Sequence, residues 1–105
     1  MNFEVLDDFN GLEMGFISNN SGGYISKNKY LFEKIELTHL NQFILEQSVF
    51  GTPIFKLGSG GVNILMISGI HGNELPSQLA SLRLLNELIN TKLENIVFII
   101  PFAAA

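Results

Sequence analysis

Ile64-Leu65-Met66-Ile67-Ser68-Gly69-Ile70-His71-Gly72-Asn73-Glu74 is the stretch on which the reading of this chain depends. An apolar run breaks at Gly69, the backbone is free to turn again at Gly72, and a histidine and a glutamate follow three positions apart where a helix should open. Val62 to Ser68 is apolar apart from Asn63 and its final residue, which predicts a central strand covered on both faces in a parallel or mixed sheet. Downstream, Glu74 to Asn90 predicts a helix. Asn73 can cap it, Pro76 is tolerated in its first turn, and Glu74 complements its dipole. Leu75, Leu79, Leu82, Leu85 and Ile89 share one face and should pack on the sheet. Ala80, Leu84 and Leu88 form a second stripe, more apolar than a solvated face normally is. Ile96 to Ile100 is then a second buried strand. Strand, helix and strand make a right-handed βαβ unit with parallel strands.

Upstream, Gly58-Ser59-Gly60-Gly61 predicts a turn. It precedes a strand and lacks the Gly-Lys-Ser/Thr ending of a phosphate loop. Phe43 to Phe50 and Pro53 to Leu57 read as successive antiparallel strands, a β-hairpin leading into the βαβ unit. Lys27 to Leu40 fits neither period cleanly and is read as a short helix. Phe3 to Leu6 and Leu12 to Ile17, separated by Asn10-Gly11, read as a hairpin. No internal repeat or linker divides residues 1–105, so one α/β domain is expected, with 1–40 as a lead-in of unassigned role and 43–102 as the hairpin plus βαβ unit.

Composition narrows the chemistry. The 105 residues are 47% hydrophobic and 15% charged, the proportions of a single globular domain. A net charge of -4 with only six basic residues argues against a nucleic-acid partner. No cysteine is present, so a transition metal would have to be held by His, Asp or Glu. The opening MNFEVLDDFN lacks the basic start and apolar run of a signal peptide, and no apolar run approaches the roughly 20 residues that span a bilayer. A cytoplasmic protein with no membrane partner is expected.

Ligands of open α/β sheets bind beyond the carboxyl ends of the strands, which is where residues 69–74 fall. An imidazole and a carboxylate are ligand types of catalytic zinc sites, which commonly have three protein ligands and one open position. His71 and Glu74 supply two. The competing structural reading has His71 capping the helix or bonding a carbonyl, and Glu74 as an ordinary first-turn acid. A Gly-x-x-Gly nucleotide loop is a third reading, without the lysine that would give it meaning. His39, flanked by Thr38 and Leu40, reads as a surface or core residue.

Val62 to Glu74, ending in His-Gly-Asn-Glu, resembles the first metal-binding segment of the zinc carboxypeptidase superfamily, most closely its succinylglutamate desuccinylase/aspartoacylase branch. Phe50-Gly51-Thr52-Pro53-Ile54 is similar to the strand preceding that segment, and Ile96 to Pro101 to the strand after the helix. The resemblance covers roughly residues 48–102 and implies a three-layer α/β/α fold around a mixed sheet, with His71 and Glu74 as zinc ligands. It implies hydrolysis of an amide bond, in an N-acyl amino acid or at a peptide carboxyl terminus, by metal-activated water. The family's third ligand is a downstream histidine, and no histidine follows His71 here. Its general-base glutamate and carboxylate-binding arginines have no match either, and Arg83 lies outside any matching motif. The resemblance therefore implies no catalytic residue in this chain. We expect an incomplete zinc-dependent deacylase or carboxypeptidase, inactive as it stands. The alternative is a small non-catalytic α/β interaction module in which His71 and Glu74 are structural. A homo-oligomer that completes the site with His39 of a neighbouring copy is a further expectation.

Overall fold

In a computed structural model of the chain, which describes residues 2–17, 33–36, 38–68 and 75–102, the fold begins with the hairpin that Asn10-Gly11 announces. Strands β1 (Glu4–Leu6) and β2 (Leu12–Phe16) pair antiparallel, Leu6 opposite Leu12 and Glu4 opposite Met14. A 3-10 turn at Asp7–Phe9 leads into Asn10 at φ 56° and Gly11 at φ 77°. Those left-handed positions suit an asparagine followed by a glycine. The Asn10 side chain donates to the carbonyl of Ile89 and to Asn90 Oδ1, both at 2.9 Å, tying the hairpin tip to a segment 79 residues away.

The expected strand from Phe43 to Phe50 is instead helical. Helix α1 (His39–Gln47) is followed by a 3-10 turn at Ser48–Phe50. Thr38 starts it: its Oγ1 accepts from the Asn41 N–H at 3.0 Å, an N-cap that ends the extended backbone before His39. Leu40, Asn41, Ile44, Leu45 and Ser48 are buried, a helical stripe and not an alternating one. Of the helix expected over 27–40, only 33–34 are helical among the described residues before α1; 35, 36 and 38 are not, 39–40 already belong to α1, and 27–32 and 37 lie outside the described residues. Asn41 links the helices, donating to the Glu36 carbonyl at 3.0 Å and accepting from Asn86 at 2.8 Å.

β3 (Pro53–Leu57) pairs antiparallel with β2, and its far side receives β5 (Ile96–Ile100), also antiparallel. Pro53 is tolerated because it stands at the strand's first position. β4 (Asn63–Ile67) lies parallel to β5, as the βαβ reading requires, with helix α2 (Leu75–Leu88) between them in sequence. The result is an α/β fold with a five-stranded mixed sheet in the order β1-β2-β3-β5-β4. The radius of gyration is 12.8 Å, about that of one compact domain of this length.

Two expectations are corrected by this order. β3 has β2 and β5 as its neighbours, so the hairpin expected between 43–50 and 53–57 does not form, 43–50 being helical. β4 is not central but an edge strand, with Ile64, Leu65 and Ile67 exposed. A continuous apolar run measures how much a strand could bury, and it is silent on which neighbours the topology supplies.

Both helices join one core. Leu40, Ile44 and Leu45 of α1 and Leu82 and Leu85 of α2 cluster with Leu12, Met14, Phe55, Leu57, Val97 and Ile99 of the sheet. Met14, Phe55 and Ile99 are directly opposite one another across three strands and so share the covered face. Of the expected second stripe on α2, Ala80 is exposed, whereas Leu84 and Leu88 are half-buried and Leu88 packs against the core.

Candidate functional site

The connection singled out by the sequence is bracketed by two well-defined ends. β4 stops at Ile67, opposite Ile100, and the Ser68 N–H donates to the Ile100 carbonyl at 2.9 Å. The Ser68 and Ser81 hydroxyls are hydrogen-bonded to each other, which ties the strand's carboxyl end to the second turn of α2. α2 opens at Leu75 and runs for 14 residues. Residues 69–74 thus join the carboxyl end of one member of a parallel pair to the amino end of a helix, the place where open α/β sheets bind ligands and where a helix dipole is positive. His71 and Glu74, with Gly69, Gly72 and Asn73, lie outside the described residues.

Among the described residues, no group of three or more His, Asp and Glu side chains could hold a metal ion. His39 is the first residue of α1 and is exposed, lining an open groove with Asp7, Asp8 and Glu46. Arg83 stands 3.9 Å from Glu36, but both side chains are about three-quarters exposed (75% and 73%), so that ion pair is weak. A second groove, between α2 and residues 34–36, is flanked by this pair and by the Asn41–Asn86 hydrogen bond.

One polar residue beside the candidate site escapes the reading of the sequence. The buried stripe of α2 is Gln78, Ser81, Leu82 and Leu85, whereas Leu79 is only half-buried. Gln78 is 0% exposed, and neither its Nε2 nor its Oε1 has a hydrogen-bond partner. Leaving such an amide unpaired costs about 1–3 kcal/mol. The signal was present in the sequence: Gln78 lies four positions before Leu82 and seven before Leu85, on a line where an apolar residue is the norm.

No protein-family model matches the chain, and no curated protein or solved structure does. Among the described residues no helix is long and apolar enough to cross a membrane.

Proposed function

We propose that this chain carries the first two metal ligands, His71 and Glu74, of a zinc-dependent hydrolase acting on an amide bond, of the succinylglutamate desuccinylase/aspartoacylase kind. The observation that supports the reading is the parallel β4–β5 pair with α2 between them in sequence, because the His-Gly-Asn-Glu segment belongs to the connection between Ile67 at the end of β4 and Leu75 at the start of α2. The mixed sheet with helices on one face is compatible with two layers of a three-layer α/β/α domain. When bound, zinc supplies Lewis acidity and a water acidified to a pKa of about 7. The substrate class is an N-acyl amino acid or a peptide, and the setting is cytoplasmic. The third ligand, the general base and the carboxylate clamp are not among the 105 residues, so the chain alone lacks both open tetrahedral geometry and proton transfer.

Equilibrium dialysis against zinc tests this. Wild-type protein is expected to bind one zinc ion weakly, His71→Ala to bind none, and neither to hydrolyse N-acylated acidic amino acids. Equal zinc uptake by the variant removes the metal reading, and robust turnover by the 105-residue chain removes the claim that it is incomplete.

A second reading is favoured by the edge position of β4. Leu65 and Ile67, 57% and 45% exposed, lie on an edge strand that has neither charge nor proline to guard it. In this reading the chain is a non-catalytic module that associates through that edge, a homo-oligomer included. Sedimentation should then show reversible self-association that Leu65→Lys abolishes and His71→Ala leaves intact. A wild-type protein that stays monomeric on concentration would count against it.

A further inference from the structure

The ladder between β4 and β5 fixes which backbone groups of β4 are in use. The Ile96 N–H donates to the Val62 carbonyl and the Ser68 N–H to the Ile100 carbonyl, both at 2.9 Å. Residues that bond a given neighbour alternate along a strand, so Ile64 and Met66, in step with Val62 and Ser68, turn their N–H and C=O groups toward β5. Asn63, Leu65 and Ile67 turn theirs the other way. β4 ends the sheet, and among the described residues no strand takes up these outward donors and acceptors. Leu65 and Ile67 are exposed on one face of the strand, and Ile64 on the other.

Charge narrows what can lie against this edge. No Asp, Glu, Lys or Arg occurs between Lys56 and Glu74, so β4 has no charge with which to select a charged partner. The opposite edge of the sheet, β1, contains Glu4 and leads into Asp7 and Asp8. Copies of a chain with net charge -4 repel one another along β1, whereas at β4 two copies meet with no like charges opposed. The backbone is self-complementary there as well, because antiparallel strands pair outward-facing residues with outward-facing residues.

We propose that a second copy of this chain pairs antiparallel with β4 about a twofold axis at Leu65. This gives the association reading above, on which it rests, a partner and a register. Leu65 lies opposite the partner's Leu65, and Asn63 opposite the partner's Ile67. Each such pair of outward-facing residues exchanges two N–H···O bonds. This register uses every outward-facing residue of Asn63–Ile67, and a slip of two positions leaves some of them unpaired. The interface is isologous, the kind that closes as a dimer, and it removes an edge that has neither charge nor proline to guard it.

Because the chain has no cysteine, single-cysteine variants report the register directly. Hydrogen-bonded antiparallel neighbours have Cα atoms about 5.5 Å apart, within the span of a disulfide. Oxidised glutathione takes up the two thiol hydrogens as the bond forms. Leu65→Cys treated in this way should become mostly linked dimer. Ile67→Cys should stay unlinked, since its counterpart is displaced by roughly 13 Å along the strand. Asn63→Cys mixed with Ile67→Cys should link one to the other. Equal linkage of Leu65→Cys and Ile67→Cys would overturn the proposal, and so would linkage of neither while the protein associates. If wild-type protein sediments as a monomer at every concentration, the association reading fails and takes this inference with it; the wild-type run alone tells that outcome from a wrong register.

Discussion

Phe55→Ala will remove about 3–5 kcal/mol of stability in a urea titration, a large share of the roughly 5–15 kcal/mol that holds a small domain together. Phe55 is 0% exposed and stands in the middle of β3, the middle strand of the sheet. Met14 lies directly opposite it on one side and Ile99 on the other. Truncation leaves a space walled by three strands and by the helices that join the same cluster. Hydrogen-bonded strands cannot move inward to refill it, so the cavity cost adds to the lost transfer energy. The midpoint of urea unfolding should fall with little change in slope. A loss below about 1 kcal/mol would mean that the ring is not packed as described.

Gly60→Ala should be nearly as damaging, for a different reason. Gly60 has φ +133° and Gly58 φ +79°, in the turn between β3 and β4. A methyl group at position 60 would fall on the carbonyl oxygen of Glu94, and one at position 58 on that of Asn95. The turn is pressed backbone to backbone against the residues that lead into β5. An alanine must therefore adopt a backbone angle that L-residues avoid and also push the two segments apart, at a combined cost of about 3 kcal/mol or more. The damage should reach the start of the β4–β5 ladder, where the Ile96 N–H donates to the Val62 carbonyl at 2.9 Å. Amide exchange should accelerate there first. Gly61→Ala is the control: nothing lies within 4 Å of the added carbon, and the change should stay within about 0.5 kcal/mol. Equal effects at positions 60 and 61 would rule out the close approach.

The parts of the fold legible in the sequence are those written in local punctuation. Asn10-Gly11 marked the hairpin, Pro53 and the glycine cluster at 58–61 framed β3, and Ile96 to Ile100 matched β5 residue for residue. α1 was misread because Phe43, Ile44, Val49 and Phe50 have strand-like composition, whereas the feature that decides the matter is a threonine five residues upstream of Phe43. The cap outweighs the propensity once Leu40, Ile44 and Leu45 find a common surface. The edge position of β4 was not legible at all, since strand order depends on pairings between segments far apart in the chain. At the candidate site the sequence supplied His71 and Glu74 as a chemically distinctive pair. It also put Gln78 on the apolar line of α2, but that this side chain is wholly buried without a hydrogen-bond partner is visible only in the fold.

The strand order also has a bearing on synthesis. Because β5 lies between β3 and β4, β4 has no neighbour to pair with until Ile96–Ile100 has been made. Translation at about 5–20 residues per second leaves the Asn63–Ile67 segment, apolar apart from its first residue, waiting for seconds. During that interval a growing chain offers a chaperone an uncharged extended segment, and slowing the codons between α2 and β5 would lengthen the exposure without altering one residue of the finished protein.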